Sequence, residues 1–418
     1  MIKLFNAAQD NLVYKQVQPI LINPKLSATT HRFSSIDILR GAIMLIMALD
    51  HVRHFIHQPA MADEPTNLAT TTPVLFFTRW ITHFCAPVFI FLSGISACIS
   101  GQKKTRQELS IFLMKRGLWL LLIELFIISL SWSFDPSYNK FFLQVIWAIG
   151  WSMIILGLLA RTSVAIVAVV GCVLFFGHNI LDYINLPQQG SVAVLWKLLF
   201  TSKVDFFVLD NSRSVLLIYS ILPWTAIMLL GYAAGYLYKK DFDETRRKQL
   251  LLWTGIGMIV LFVILRFINH YGDPVSWSEQ KNKIYTFLSF LNVTKYPVSL
   301  QYSCMTLGPA LIVLALLKGR QNAFARFLTV FGKVPFFYYV LHFFLIHIIC
   351  AVLFFASGHS WDETNDPASF VFFRPPWFGF NLGVVFLIWL AVIFILYFPC
   401  RWFAKYKMKN KRWWLSYI

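Results

Sequence analysis

Apolar residues in this chain gather into runs that are too long and too regularly spaced for soluble domains. A bilayer's hydrocarbon core is about 30 Å thick and a helix rises about 1.5 Å per residue, so roughly 20 mostly apolar residues make one crossing. Such stretches lie near 37–57, 73–99, 111–132, 141–160 and 162–177, and again near 214–238, 250–269, 299–317, 330–354 and 378–400. The pattern predicts an all-α integral membrane protein of about ten transmembrane helices. The fifth run is short, and the apolar stretch around 191–208 suits an interfacial or re-entrant piece. No linker or low-complexity tract interrupts the series, so residues 32–418 read as one polytopic membrane domain. Residues 1–31 are polar and lack the apolar core of a signal peptide, which predicts a cytoplasmic tail.

Composition agrees: 58% of residues are hydrophobic and 13% charged, against about 45–50% and roughly 25% in soluble domains. The net charge of +18 would invite a nucleic-acid partner, but its distribution excludes one. Numbering the connections alternately, one set holds 25 of the 37 Lys and Arg and the other holds 11, with Arg40 inside the first helix. That is the positive-inside bias of a multi-pass protein of the cytoplasmic membrane, and it predicts that both termini are cytoplasmic. The six cysteines sit within or at the ends of apolar runs without C-x-x-C spacing, so neither a disulfide framework nor a metal site is expected. The outward connections, near 52–72, 178–213, 270–298 and 355–377, are the longer ones and carry most of the acids. Recognition is therefore expected to face outward. Oligomeric state has no signature.

Ionisable groups inside a bilayer are costly and usually face a bundle interior or a wet cavity. The candidates are Asp37, Arg40, Asp50, His51, His83, Glu124, His342 and His347. Arg40 and His51 lie on one face of the first helix, about 20° apart in angle and roughly 16 Å apart along the axis. A guanidinium at the cytoplasmic end suits a phosphate-bearing donor, and a histidine three turns deeper suits a general base or an acyl carrier. The alternative is that Arg40 pairs with Asp37 or snorkels to headgroups while His51 is a satisfied interhelical hydrogen bonder. Asp50 is placed to orient His54 or a substrate amine. His83 is at comparable depth on the second helix, one turn before Pro87, which removes a helix hydrogen bond and can open a local cavity. Glu124 needs a partner or a proton. His342 lies near mid-depth on the ninth helix, and Asn292 and Lys295 cluster with Tyr296 at the entry to the eighth.

The stretches RFSSIDILRG, MALDHVRHFIH and LFFTRWITHFCAPVFIFLSG resemble the start of bacterial membrane proteins related to the heparan-α-glucosaminide N-acetyltransferase catalytic domain. ILPWTAIMLLGYAAG, TFLSFLNVTKYPVSLQY, GKVPFFYYVLHFFLIH and the RWWLSYI tail resemble the same bacterial group, so the likeness spans nearly the whole chain from about residue 32. It implies a multi-helix acyltransferase that carries acetyl from cytoplasmic acetyl-CoA to a glycan or amino sugar on the far side of the membrane. In related glycan O-acyltransferases a first-helix Arg, ten intervening residues and a His form a functional pair, a spacing that Arg40 and His51 fit. The resemblance implies Arg40 near the donor and His51 at the transfer centre; by their own positions Asp37 joins Arg40 on the donor side, and His83 or Asp50 is placed to assist His51. By their own placement, inside apolar runs or at the entry to the eighth helix, Glu124, His342, Asn292 and Lys295 are the candidate substrate-binding residues. The lysosomal enzyme has Asn where His51 stands and its active His further on, so His57 or His54 is the alternative counterpart. It also has Asp where this chain has His83, and heparan sulfate is therefore not carried over as the acceptor. The rival class is a transporter that uses the same histidines for proton or solute coupling.

Overall fold

The computed structural model describes residues 34–416 apart from 62, 185–189, 201–202, 318–321 and 367–368. The expected cytoplasmic tail, 1–31, lies outside the described residues. Helices dominate the rest. In chain order they are α1 (Ser34–Ile56), α2 (Pro73–Thr82), α3 (Cys85–Gly101), α4 (Arg106–Ile123), α5 (Ser129–Ser133), α6 (Val145–Leu159), α7 (Val164–Gly177) and α8 (Ser191–Leu199). They continue as α9 (Ile221–Ala234), α10 (Glu244–Ile268), α11 (Lys283–Leu291), α12 (Leu300–Leu316), α13 (Ala323–Lys333), α14 (Pro335–Ala356) and α15 (Leu382–Lys409).

Helix starts follow local chemistry. Thr105 and Glu108 form a reciprocal capping box on α4, and the side chains of Ser163, Asp243, Asn282, Ser299, Asn322 and Asn381 cap α7, α10, α11, α12, α13 and α15. Each cap gives an oxygen acceptor to an N–H that the helix itself cannot satisfy. Among the described residues, six helical stretches are long and apolar enough to cross a membrane: Pro73–Gly101, Val164–Tyr183, Ile221–Tyr238, Glu244–Ile268, Pro335–Ala356 and Leu382–Lys409. Val145–Leu159 and Leu300–Leu316 are apolar but shorter. α7, α10 and α15 expose large apolar side chains such as Val173, Phe267 and Phe394, a surface that suits lipid and is unusual in water.

α1 stands at the centre, packed by α3, α13, α14 and α15. Its approach to α13 is so close that a Cβ on Gly41 would collide with the Leu328 carbonyl, and one on Gly332 with the Asp37 carbonyl. Small residues that let backbones touch are how helices associate in lipid, where no hydrophobic drive separates one apolar side chain from another.

Two local details depart from the expected continuous spans. The second run breaks between α2 and α3, because Pro87 has no N–H for the His83 carbonyl. That carbonyl accepts from the Tyr302 hydroxyl of α12 at 2.6 Å instead. The third run contains a π-helical turn, Glu124–Ile128, between α4 and α5.

The expectation of an all-helical chain misses a small sheet in the order β1-β3-β2, made of β1 (Lys140–Leu143), β2 (Asp205–Val208) and β3 (Ser214–Leu217). β1 pairs parallel with β3, and β2 antiparallel with it. Strands β1 and β3 are short apolar runs that merge in hydropathy with the helices that follow, and periodicity alone does not separate such runs.

Candidate active site

The polar residues in the C-terminal part of α1 converge on a cavity of about 230 Å³. Asp50, His51, Arg53 and His54 of α1 line it together with Arg79 of α2, Thr82, and Cys85 and Ala86 of α3. Trp132 of α5 and Tyr339 of α14 close one side, Lys295 and Tyr296 of the loop before α12 another. Gln144, Leu216 and Ile218 bring the sheet and the turns beside it to the wall.

His51 is fixed by a chain of hydrogen bonds that also fixes its proton. His342 Nδ1 lies 2.5 Å from the Tyr339 carbonyl and 3.2 Å from that of Tyr338. A carbonyl only accepts, so His342 Nδ1 carries a hydrogen, and in the neutral ring Nε2 is a bare acceptor. His342 Nε2 is 2.7 Å from His51 Nδ1, so His51 donates there and its own Nε2 keeps a lone pair. Rings lock the pose: Phe343 lies 4.2 Å from the His51 ring centre and Trp132 5.9 Å away, edge on. A neutral imidazole with a defined bare nitrogen on a cavity wall is what a general base requires.

Asp50 does not orient a histidine. Its two oxygens are taken by Arg79 Nη1 at 2.5 Å and Arg53 Nη2 at 3.1 Å, a nearly buried trio that ties α1 to α2. His54, on the same wall, packs edge-on to Trp132 at 5.1 Å.

The structure thus brings Asp50, His51, His342 and Lys295 together, with Glu124 one contact away. Glu124 Oε1 accepts from the Gln144 backbone N–H at 2.5 Å, while its Oε2 is buried beside it. The π turn that begins at Glu124 is a local irregularity of the kind often found at functional sites.

Other candidates lie apart from the cavity wall. The His83 ring packs on Tyr302 at 5.4 Å, with its Nδ1 buried and unpartnered. The His57 carbonyl accepts from Arg374 Nη2 at 2.5 Å and its residue pairs with Phe380, which fastens the end of α1 to the segment before α15. Asn292 donates to the Thr66 carbonyl at 3.1 Å and accepts from Arg266 at 2.7 Å, so it shapes the loop that carries Lys295. Arg40 donates to Ser96 Oγ at 2.7 Å, to the Gly332 carbonyl at 3.3 Å and to Asp37 at 3.3 Å. It therefore sits at the α1–α3–α13 junction, nearer the start of α1 than His51.

Sequence reading passed over Arg53, Arg79, Trp132 and Gln144. Arg79 had a visible signal, a guanidinium inside the apolar run 73–99. The aromatic and amide residues had none, because they resemble the many others at helix ends.

A multi-pass helical protein that encloses a locked histidine pair and a charged cavity has the build of a membrane-embedded enzyme. The chain belongs to the family described as heparan-alpha-glucosaminide N-acetyltransferase, catalytic, which matches residues 32–266. It is accordingly an enzyme of the acyltransferase type. The matched stretch includes Arg40, Asp50, His51, Arg79 and Glu124; His342 and Lys295 lie beyond it. No curated protein matches the chain.

Proposed function

We propose that the protein transfers an acetyl group from cytoplasmic acetyl-CoA to an amino sugar or glycan on the outer side of the cytoplasmic membrane. The proposal includes about ten crossings and both termini in the cytoplasm, as the charge bias argues. The observation that carries it is the bare Nε2 of His51 on the cavity wall, left bare because Nδ1 donates to His342.

His51 Nε2 takes the proton of the acceptor's amine or hydroxyl as that atom attacks the thioester carbonyl carbon. A C–N or C–O bond forms, the C–S bond breaks, and the proton passes from His51 to the departing sulfur. While His51 is cationic, its Nδ1–H stays on the His342 lone pair, which disperses the charge. Arg40, with Asp37 beside it, holds the donor's phosphates at the other end of α1; a guanidinium is suited to such oxygens. Its placement by Ser96 and Gly332 supports that role.

The test is transfer of radiolabelled acetyl from acetyl-CoA to glucosamine by the protein reconstituted in liposomes. His51→Ala is expected to lower the rate by about 10²–10⁴-fold, the usual worth of a positioned base. Wild-type rates in the variant would sink the mechanism. Movement of sugar across the vesicle without acetyl-CoA would turn the assignment to a transporter.

A further inference from the structure

Five formally charged side chains line the cavity: Asp50, Arg53, Glu64, Arg79 and Lys295. The carboxylate of Asp50 is shared by the two arginines, and Glu64 is exposed. Lys295 is different. Only 9% exposed, it makes no hydrogen bond or ion pair among the described residues. Its ammonium lies 5.0 Å from the ring centre of Tyr296 and 5.9 Å from that of Tyr219. Its field reaches both Asp50 and His51.

The Asp50 carboxylate within that field is already shared by two arginines, and an ammonium buried without an ion pair of its own is unfavourable unless a ligand supplies the anion. The loop that holds it is nonetheless built firmly. Asp273 accepts from Thr294 N and Oγ1 at 2.8 and 2.9 Å and from Ser299 Oγ at 2.7 Å. A preorganised, unpaired cation in a cavity is a binding group that awaits its ligand.

We infer that Lys295 is an anion subsite for the acceptor: the sugar that reaches His51 carries a carboxylate, sulfate or phosphate near the amine or hydroxyl that is acetylated. The inference rests on the acetyl-acceptor reading of this cavity. The donor's phosphates are the competing source of an anion, but the Lys295 loop is among the outward connections, opposite to Arg40. Lys295 lies beyond the residues that the family matches, 32–266.

The experiment is calorimetric binding of glucosamine 6-sulfate and of glucosamine to the protein in phosphatidylcholine nanodiscs. Wild type is compared with Lys295→Gln and Lys295→Arg, with folding checked by size-exclusion profile. Wild type is expected to prefer the sulfated sugar by about tenfold or more, the scale of one charge-assisted hydrogen bond. The preference should shrink with added salt, fall toward one in Lys295→Gln, and persist in Lys295→Arg. Equal binding of the two sugars by wild type, no binding of either, or an undiminished preference in Lys295→Gln would overturn the inference. So would a Lys295→Gln variant that loses acetyl-CoA binding and keeps its sugar preference, or loss of that preference when anionic phospholipid is added to the discs. Acetyl transfer to both sugars, assayed in parallel, separates the two levels. Transfer without sulfate preference refutes the subsite alone, whereas sulfate preference without transfer to either sugar refutes the acetyltransferase and leaves Lys295 only an anion-binding group of this cavity.

Discussion

The basic nitrogen of His51 is assigned by carbonyls that His51 never touches. Tyr338 and Tyr339 present them to His342 Nδ1, and the tautomer passes through His342 to His51. Removing the acceptor at position 342 should therefore leave His51 in place but free to hold its hydrogen on either nitrogen. His342→Leu is expected to lower kcat by about 10²-fold, at the low end for a general base, with KM for the sugar little changed. His342→Gln should keep more of the rate, because its amide oxygen can still accept from His51 Nδ1. Steady-state kinetics on both variants would check this, and equal losses in the two would argue that His342 merely fills space. Lys295 belongs to the same scale: one ammonium, one missing anion, and a consequence readable as sugar preference.

At the scale of elements, the break between α2 and α3 is a product of one residue. Pro87 cannot donate to the His83 carbonyl, and α12 supplies Tyr302 in its place. Tyr302→Phe would leave that buried carbonyl unpaired at a cost of about 1–3 kcal/mol. The expected outcome is a lowered thermal midpoint of the detergent-solubilised protein, while acetyl transfer at low temperature is retained. An unchanged midpoint would mean that water or a neighbouring group replaces the hydroxyl. The close contact of α1 with α13 has a related logic. Gly41 and Gly332 let two backbones meet, which brings Arg40 within reach of the Gly332 carbonyl and sets the register of the helix that carries His51.

On the scale of the whole molecule, apolar outer faces on α7, α10 and α15 surround a central α1 whose chemistry is turned inward. In the proposed mechanism an acceptor enters the cavity from one side while the donor arrives at the other end of α1, which makes sidedness part of that proposal. With Lys and Arg biased to alternate connections, a reporter fused to the C-terminus should fluoresce as cytoplasmic proteins do, and a phosphatase active only after export should be silent there. The reverse result would place Lys295 on the donor's side and exchange the roles assigned to the two ends of α1.

Local composition is enough to reveal the membrane environment and to single out the helix proposed to carry the chemistry. Long apolar runs, few charges and their bias follow from hydrocarbon thickness and insertion, which act on local composition. Polar residues on α1 could be seen for the same reason, since each stands out against an apolar background. Tertiary structure alone decided the partners. His51 meets a histidine 291 positions away, Asp50 meets Arg79 rather than His54, and Lys295, a candidate from its polar loop cluster, comes to the same cavity wall as His51. Periodicity reports which residues share a face of one helix, but it is blind to which face of another helix lies opposite. That depends on close backbone approaches such as Gly41 with Leu328, on the Pro87 break, and on a sheet hidden inside apolar runs. These placements decide which nitrogen is bare and which cation is unpaired.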